Sequence, residues 1–282
     1  MRVLAPGKLV LTGAYAVLEG APAVVVAVDR YATADSSTPD SVDSSALHDE
    51  QGRKLGLGSS AASLVARRAA HAVVRGADLR SATVREALFL EARASHARSQ
   101  GGGSGVDVAA SVHGGALVYS LQGDDARIQP VHLPGGVRLA AFWSGHSART
   151  SELLTRVAAV RASRHDALAG LSGVASRAAA AVEVSDSAAF VAAARDFGAG
   201  LESLGRLADA PIVLPSFAQL ARYAAEEGGA FLPSGAGGGD VAVWLGVTEP
   251  SAIFLDLAGA LGLRRIHLAI DTAGVHLDSP SP

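Results

Sequence analysis

Three glycine- and serine-rich segments hold the residues best suited to chemistry on an anion. They are Ala5-Pro6-Gly7-Lys8 with Thr12-Gly13, then Gly56-Leu57-Gly58-Ser59-Ser60-Ala61-Ala62, then Ser234-Gly235-Ala236-Gly237-Gly238-Gly239-Asp240. Glycine lets a backbone approach an oligophosphate closely and aim its N–H groups at it. Of the 24 basic residues only two, Lys8 and Lys54, are lysine, and both lie in or beside these segments. A compact ammonium where the chain otherwise uses arginine points to a point charge wanted there. Ser59 and Ser60 offer hydroxyls to a phosphate oxygen or to Mg²⁺. Asp107, after the run Gly101-Gly102-Gly103-Ser104-Gly105, is a carboxylate placed either to orient or deprotonate a reacting group or to cap a helix.

These residues need elements to hold them. Val3–Leu4 and Leu9–Leu11 read as strand, as does the β-branched run Ala23–Val28. Residues 33–53 read as a polar surface loop or hairpin. The spacing predicts a helix from Ser59 to about Arg75, with Ser59 or Ser60 near its N-cap, and a second from about Thr83 to Ser99 carrying Glu91, Ser95 and His96. A glycine turn directly before a helix presents unpaired N–H groups and the positive end of the dipole, which suits a phosphate chain. The Gly-Lys-Ser/Thr ending of a Walker A loop is missing. A short helix from Val106 and a strand Ala116–Ser120 follow. The texture changes near residue 135: a strand Arg138–Trp143, helices from about Thr150 to Gly229, the third glycine loop, a strand Val241–Leu245, a helix Ser251–Leu261 and a strand Arg265–Ile270. The domains expected are 1–135 and 136–282.

Composition narrows the function. With a formal charge of −3 there is no basic stripe for nucleic acid or an anionic membrane. No apolar run reaches the roughly 20 residues of a bilayer span, and no signal-peptide pattern opens the chain. Zero cysteines exclude disulfides and thiolate metal sites. A cytoplasmic protein without nucleic-acid or membrane partners is expected. The nine histidines show no metal-binding spacing, and His96, His113 and His146 read as packed or surface residues.

The order and spacing of Pro6-Gly7-Lys8 with Thr12-Gly13, Leu55–Ala62 and Ser234–Asp240 resemble the three-motif pattern of the GHMP small-molecule kinases. Gly103–Ser111 with Gly114-Gly115, Lys54, and Trp143–Thr150 are most similar to phosphomevalonate kinases within that superfamily. The resemblance implies an α+β, two-domain GHMP kinase fold. Its N-terminal domain would be ribosomal-protein-S5-like with a left-handed crossover, its C-terminal domain ferredoxin-like, and the active site would lie in the groove between them.

The resemblance also implies roles. ATP would bind on Gly56, Leu57, Gly58, Ser59, Ser60 and Ala61, with Mg²⁺ as the second cofactor and Ser60 and Glu91 as its candidate ligands. Lys8 and Asp107 match the family's catalytic pair. Tyr15, Ser104, Gly105, Gly235, Ala236, Gly237 and Gly238 fall with the acceptor. Ser147, Arg149 and Thr150 are candidates for an acceptor phosphate, or Thr150 or Ser151 merely caps a helix while Arg149 faces solvent.

The implied reaction is γ-phosphoryl transfer to phosphomevalonate in isoprenoid synthesis. Rivals are an alcohol kinase such as mevalonate kinase, a related decarboxylase, and a weakly active ligand-binding regulator. Ala14 makes the last thinkable, because many relatives carry an acid at that position. His96 stands where mevalonate kinase has a metal-binding carboxylate. A homodimer is compatible with the reading.

Overall fold

The computed structural model describes residues 1–100, 103–147, 150–163 and 168–278. The chain divides into two compact units built from interleaved segments. The first comprises Met1–Leu9, Val25–Leu117 and Ala269–Pro282, and the second Val10–Val24 and Val118–Leu268. The expected boundary near residue 135 lies in the turn between two strands of the second unit.

The first unit is built on β1 (Arg2–Thr12), β2 (Ala23–Asp35) and β4 (Ala116–Gln122), each of which also gives residues to the second unit. β3 (Thr38–Asp43) is hairpinned onto β2, so the polar stretch 33–53 is a hairpin followed by a short turn, one of the two forms expected. The helices are α1 (Ser59–Val74), α2 (Ala82–Gln100) and α3 (Val106–His113). In α1 the residues Ala61, Ala62, Val65, Ala66, Ala69, Ala70 and Val73 are buried. They recur at helical spacing, and their small side chains let neighbouring helices approach closely.

The N-cap of α1 is Gly58, so Ser59 and Ser60 stand next to it as the first helical residues, as expected. Gly58 is left-handed at φ 78°, ψ 34°, a conformation that costs a serine more than a glycine.

The chain returns to this unit at its end. β10 (His276–Leu277) pairs antiparallel with β1, and Asp29 donates its N–H to the Ala269 carbonyl. The expected strand Arg265–Ile270 is therefore shorter, Arg264–Ile266, because Ala269 and Ile270 are drawn to β2 instead. Asp271 anchors the return: one oxygen accepts from Tyr31 Oη at 2.7 Å, the other from the Gly274 N–H at 2.7 Å. Gly114 and Gly274 meet so closely that a β-carbon on Gly114 would lie 2.3 Å from the Gly274 nitrogen.

His113, at the end of α3, lies 5.9 Å from the Phe89 ring. Burial, and secondarily the Arg85 guanidinium, push its pKa down to about 4. A depressed imidazole favours folding above the unfolded value near 6.5, and that contribution is lost as pH falls from there toward 4. Urea unfolding of His113→Gln beside wild type should show the difference. Wild type loses on the order of 2 kcal/mol more than the variant between pH 7 and pH 4, once the ring's partial exposure is allowed for.

The second unit holds an antiparallel sheet of β6 (Arg138–Trp143), β7 (Ala230–Pro233), β8 (Val241–Gly246) and β9 (Arg264–Ile266), in the order β7-β8-β6-β9. Four helices lie between β6 and β7: α4 (Thr150–Ser163), α5 (Ala169–Glu183), α6 (Ser187–Leu207) and α7 (Pro215–Glu226). α8 (Ala252–Ala260) lies between β8 and β9. A strand–helix–strand–strand–helix–strand order with this pairing is the ferredoxin-like arrangement. Its core is a cluster of rings: Phe142, Phe217, Phe231, Trp244 and Phe254 are all buried, with Trp244 and Phe254 centroids 4.6 Å apart, edge to face. β5 (Asp125–Val131), β7 and β10 have no counterpart in the strands expected above.

Candidate active site

In the first unit the site is built around Lys8, a cation in the middle of a buried strand and only 6% exposed. Its backbone N–H donates to the Leu57 carbonyl at 2.9 Å, stitching the first motif to the second. That approach requires glycine next door, because a β-carbon on Gly7 would sit 2.7 Å from the Leu57 oxygen. The Lys8 ammonium donates to the Gly56 carbonyl at 3.4 Å and lies 3.8 Å from Asp107 Oδ2. The stem of Lys8 runs beside Gly58, where an added β-carbon would lie 3.0 Å from its Cγ and 3.1 Å from its Cε.

Lys8, Asp107 and the loop opening α1 are thus in one place. A buried ammonium with one partly exposed carboxylate for company is strongly disposed to take another anion. Ser60 is exposed in the first turn of α1, while Ser59 is buried.

α3 brings Asp107. Gly105 caps that helix at φ 84°, and Ser104 Oγ accepts from the Val106 N–H at 3.3 Å. α2 lines the same place with His96, which is 9% exposed. Burial lowers the pKa of this imidazole, Asp107 pulls it back up and Lys8 lowers it further, so the ring is neutral at neutral pH. Arg93, one turn before His96, lies against Gly105; sequence reasoning passed it over as one arginine among many.

Glu91 reaches Arg68 at 3.0 Å, and Arg68 also donates to Ser95. Among the described residues no group of three His, Asp or Glu side chains could hold a metal ion.

The second unit holds the other motifs. Val10 donates its N–H to the buried Ser234 hydroxyl at 2.9 Å, and Tyr15 Oη donates to the Ala236 carbonyl at 2.6 Å. Tyr15 has φ 62°, a strained value for an aromatic residue, and burial raises its phenol well above the usual range, so it remains a donor. The third loop turns at Gly235, Gly237, Gly238 and Gly239, all at positive φ. The Gly238 N–H donates to the Ile212 carbonyl at 2.9 Å.

Ser144 joins in: its N–H donates to the Asp240 carbonyl at 2.9 Å, and the Asp240 N–H donates to the His146 carbonyl at 2.7 Å. Ser147 is exposed at the end of that turn. Arg149 lies outside the described residues, and of Thr150 only the backbone, opening α4, is described. The Ile212 carbonyl had no signal in the sequence, since a backbone acceptor is not a residue type.

No family model matches the chain. It is 28% identical to the phosphomevalonate kinase of Streptomyces sp. (strain CL190), with 96% of this chain and 94% of that protein covered. Its structure is similar to that of the Lin0012 protein from Listeria innocua (TM-score 0.83, 21% identity, 95% of this chain and 97% of that one). It is also similar to Streptococcus pneumoniae phosphomevalonate kinase in complex with phosphomevalonate and AMPPNP (TM-score 0.80, 18% identity, 96% and 99% covered). Among the described residues no helix is long and apolar enough to cross a membrane. The chain has the GHMP kinase fold, and in sequence and structure it is similar to the phosphomevalonate kinases of that superfamily.

Proposed function

We propose that this chain is an ATP-dependent kinase that transfers the γ-phosphoryl group to phosphomevalonate, giving diphosphomevalonate. The observation that carries this reading is the Lys8–Asp107 pair, 3.8 Å apart, beside the glycine turn that opens α1. Phosphoryl transfer asks little covalent chemistry of a protein. It asks for positioning and for positive charge around the migrating group. The first-turn N–H groups of α1 direct the phosphate chain, and Lys8 faces the charge that spreads over the transferred group. Mg²⁺ bound with the nucleotide would add neutralising charge, with Ser60 as its candidate protein donor. Ser147 and residues 235–238, which belong to the second unit, are the remaining candidates for binding the acceptor.

The role of Asp107 follows from the acceptor. An alcohol must lose a proton, whereas a phosphomonoester with its second pKa near 6 is mostly dianionic at neutral pH. Asp107 therefore holds Lys8 and orients the acceptor rather than acting as a base. Asp107→Asn should cost the phosphomevalonate reaction about 10- to 100-fold, below the 10²–10⁴ typical of a lost general base. Abolished turnover in a folded variant that still binds ATP would contradict this role.

The function itself is tested by ADP release with mevalonate, phosphomevalonate, homoserine and galactose in turn. Phosphomevalonate should be the preferred acceptor. Preference for mevalonate would make the chain an alcohol kinase, and nucleotide binding without transfer to any acceptor would remove the enzymatic reading. Carbon dioxide release would mark a decarboxylase.

A further inference from the structure

The third glycine loop is pinned at both ends and held in its middle by a single bond. At one end the Ser234 hydroxyl accepts from the Val10 N–H at 2.9 Å, and at the other the Gly238 N–H donates to the Ile212 carbonyl at 2.9 Å. Among the described residues the stretch between, Gly235–Gly237, has one hydrogen bond to the rest of the chain, from Tyr15 Oη to the Ala236 carbonyl at 2.6 Å. The glycines on either side of Ala236 would otherwise leave its peptide free to turn over.

Tyr15 is itself fixed by a strained turn. The Ala16 N–H donates to the Ala14 carbonyl at 2.7 Å, and Tyr15 between them has φ 62°, ψ −49°. A bond from one residue to the next but one, closed over a positive φ and a negative ψ, is the rarer and strained form of γ-turn. The turn has no room to relax. A β-carbon on Gly13 would lie 2.4 Å from Ala23 Cα, the Val17 N–H donates to the Gly13 carbonyl at 2.9 Å, and Tyr15 is only 4% exposed. Strain of this kind persists where the surroundings over-determine it, and it collects where a group must be aimed. The group aimed here is a phenol proton.

A trans peptide is planar, with its N–H pointing opposite to its C=O. Holding the Ala236 carbonyl toward Tyr15 therefore turns the Gly237 N–H away from the phenol, and the same bond keeps the peptide from turning over. Among the described residues the Gly237 N–H has no acceptor. We propose that Tyr15 is a positioning residue that fixes the Ala236–Gly237 peptide so that the Gly237 N–H meets an oxygen of the acceptor, an assignment that rests on the kinase reading above. The phenol proton is already spent on Ala236, so Tyr15 acts on the acceptor through the loop. One hydrogen bond sets the fraction of time the loop is competent, and the apparent affinity for the acceptor scales with that fraction.

The test compares wild type and Tyr15→Phe as full chains, by ADP-release kinetics and by amide hydrogen exchange read residue by residue. Tyr15→Phe keeps the ring and loses one oxygen. It should raise the KM for phosphomevalonate about 3- to 10-fold, the equivalent of one net hydrogen bond, and leave the KM for ATP where it was. A merely structural loss would lower the melting temperature without that split. In wild type, phosphomevalonate should slow exchange at Gly237 far more than at Gly238, whose N–H is already bonded to Ile212. An unchanged acceptor KM in Tyr15→Phe, a KM for ATP that rises in step with it, or no slowing at Gly237 overturns the assignment while leaving the kinase reading standing. Wild type that neither binds phosphomevalonate nor releases ADP with it removes both. If Tyr15→Phe fails to fold, the wild-type exchange at Gly237 decides alone.

Discussion

Lys8→Met lowers kcat by about three orders of magnitude, at the upper end of what one charged donor at a developing anion supplies. Methionine preserves the length and apolar stem that pack beside Gly58 but removes the ammonium. Asp107 is then left without its partner, and its side chain, 31% exposed, is rehydrated at small cost in stability. The expected pattern is a nearly unchanged melting temperature, modest loss of ATP affinity and a collapse of turnover. Lys8→Arg should not rescue it, because the longer planar head does not fit where the ammonium meets the Gly56 carbonyl and Asp107. Turnover within tenfold of wild type in Lys8→Met would show that this ammonium does not face the transferred group. Single-turnover measurement with saturating ATP separates this from a binding defect.

The second large effect is expected at Gly237. A β-carbon there would lie 2.1 Å from the Ile212 carbonyl oxygen, and the residue has φ +77°. Neither strain has a flexible side chain to absorb it, since the neighbour is backbone. Gly237→Ala combines a disfavoured dihedral with overpacking, for about 3 kcal/mol in total. The Gly238–Ile212 hydrogen bond is broken with it, and through Ala236 the Tyr15 contact is disturbed. Calorimetry should show a melting point lower by roughly 6 to 12 °C, with a raised acceptor KM in whatever remains folded. Gly52→Ala is the control: it shares a positive φ, 74°, but nothing lies within 4 Å of the added carbon, so it should cost only the dihedral part. Equal destabilisation by both would show that the close approach at Ile212 is unimportant.

What could be read from the residues alone follows from the range of the forces involved. α1, α3, β6 and α8 lie within a few residues of where periodicity and breakers put them, because capping, apolar spacing and glycine act within one or two turns of chain. At α1 that spacing left one point open: Ser59 and Ser60 lie next to the cap as expected, and the cap itself falls on Gly58, the residue that tolerates a left-handed backbone. β5, β7 and β10 were not legible. β5 carries polar residues and a proline, β7 is only four residues long, and β10 is two residues whose partners Val3 and Leu4 stand at the opposite end of the sequence. The site divides the same way. Lys8 and Asp107 stood out by residue type and motif, whereas the approach of Arg93 to Gly105 is seen only once α2 and α3 are in place. The bond between Tyr15 and Ala236 spans 221 residues and depends on an aromatic residue held at positive φ, which no local preference predicts.

The return of residues 269–278 to the first unit sets a timetable for biosynthesis. β10 pairs with β1, and the Asp271 anchor reaches Tyr31, so this half of the molecule gains its edge strand only after the whole of the second unit has left the ribosome. Nascent chains arrested before residue 269 should therefore hold a protease-resistant ferredoxin-like body beside an open, protease-sensitive partner.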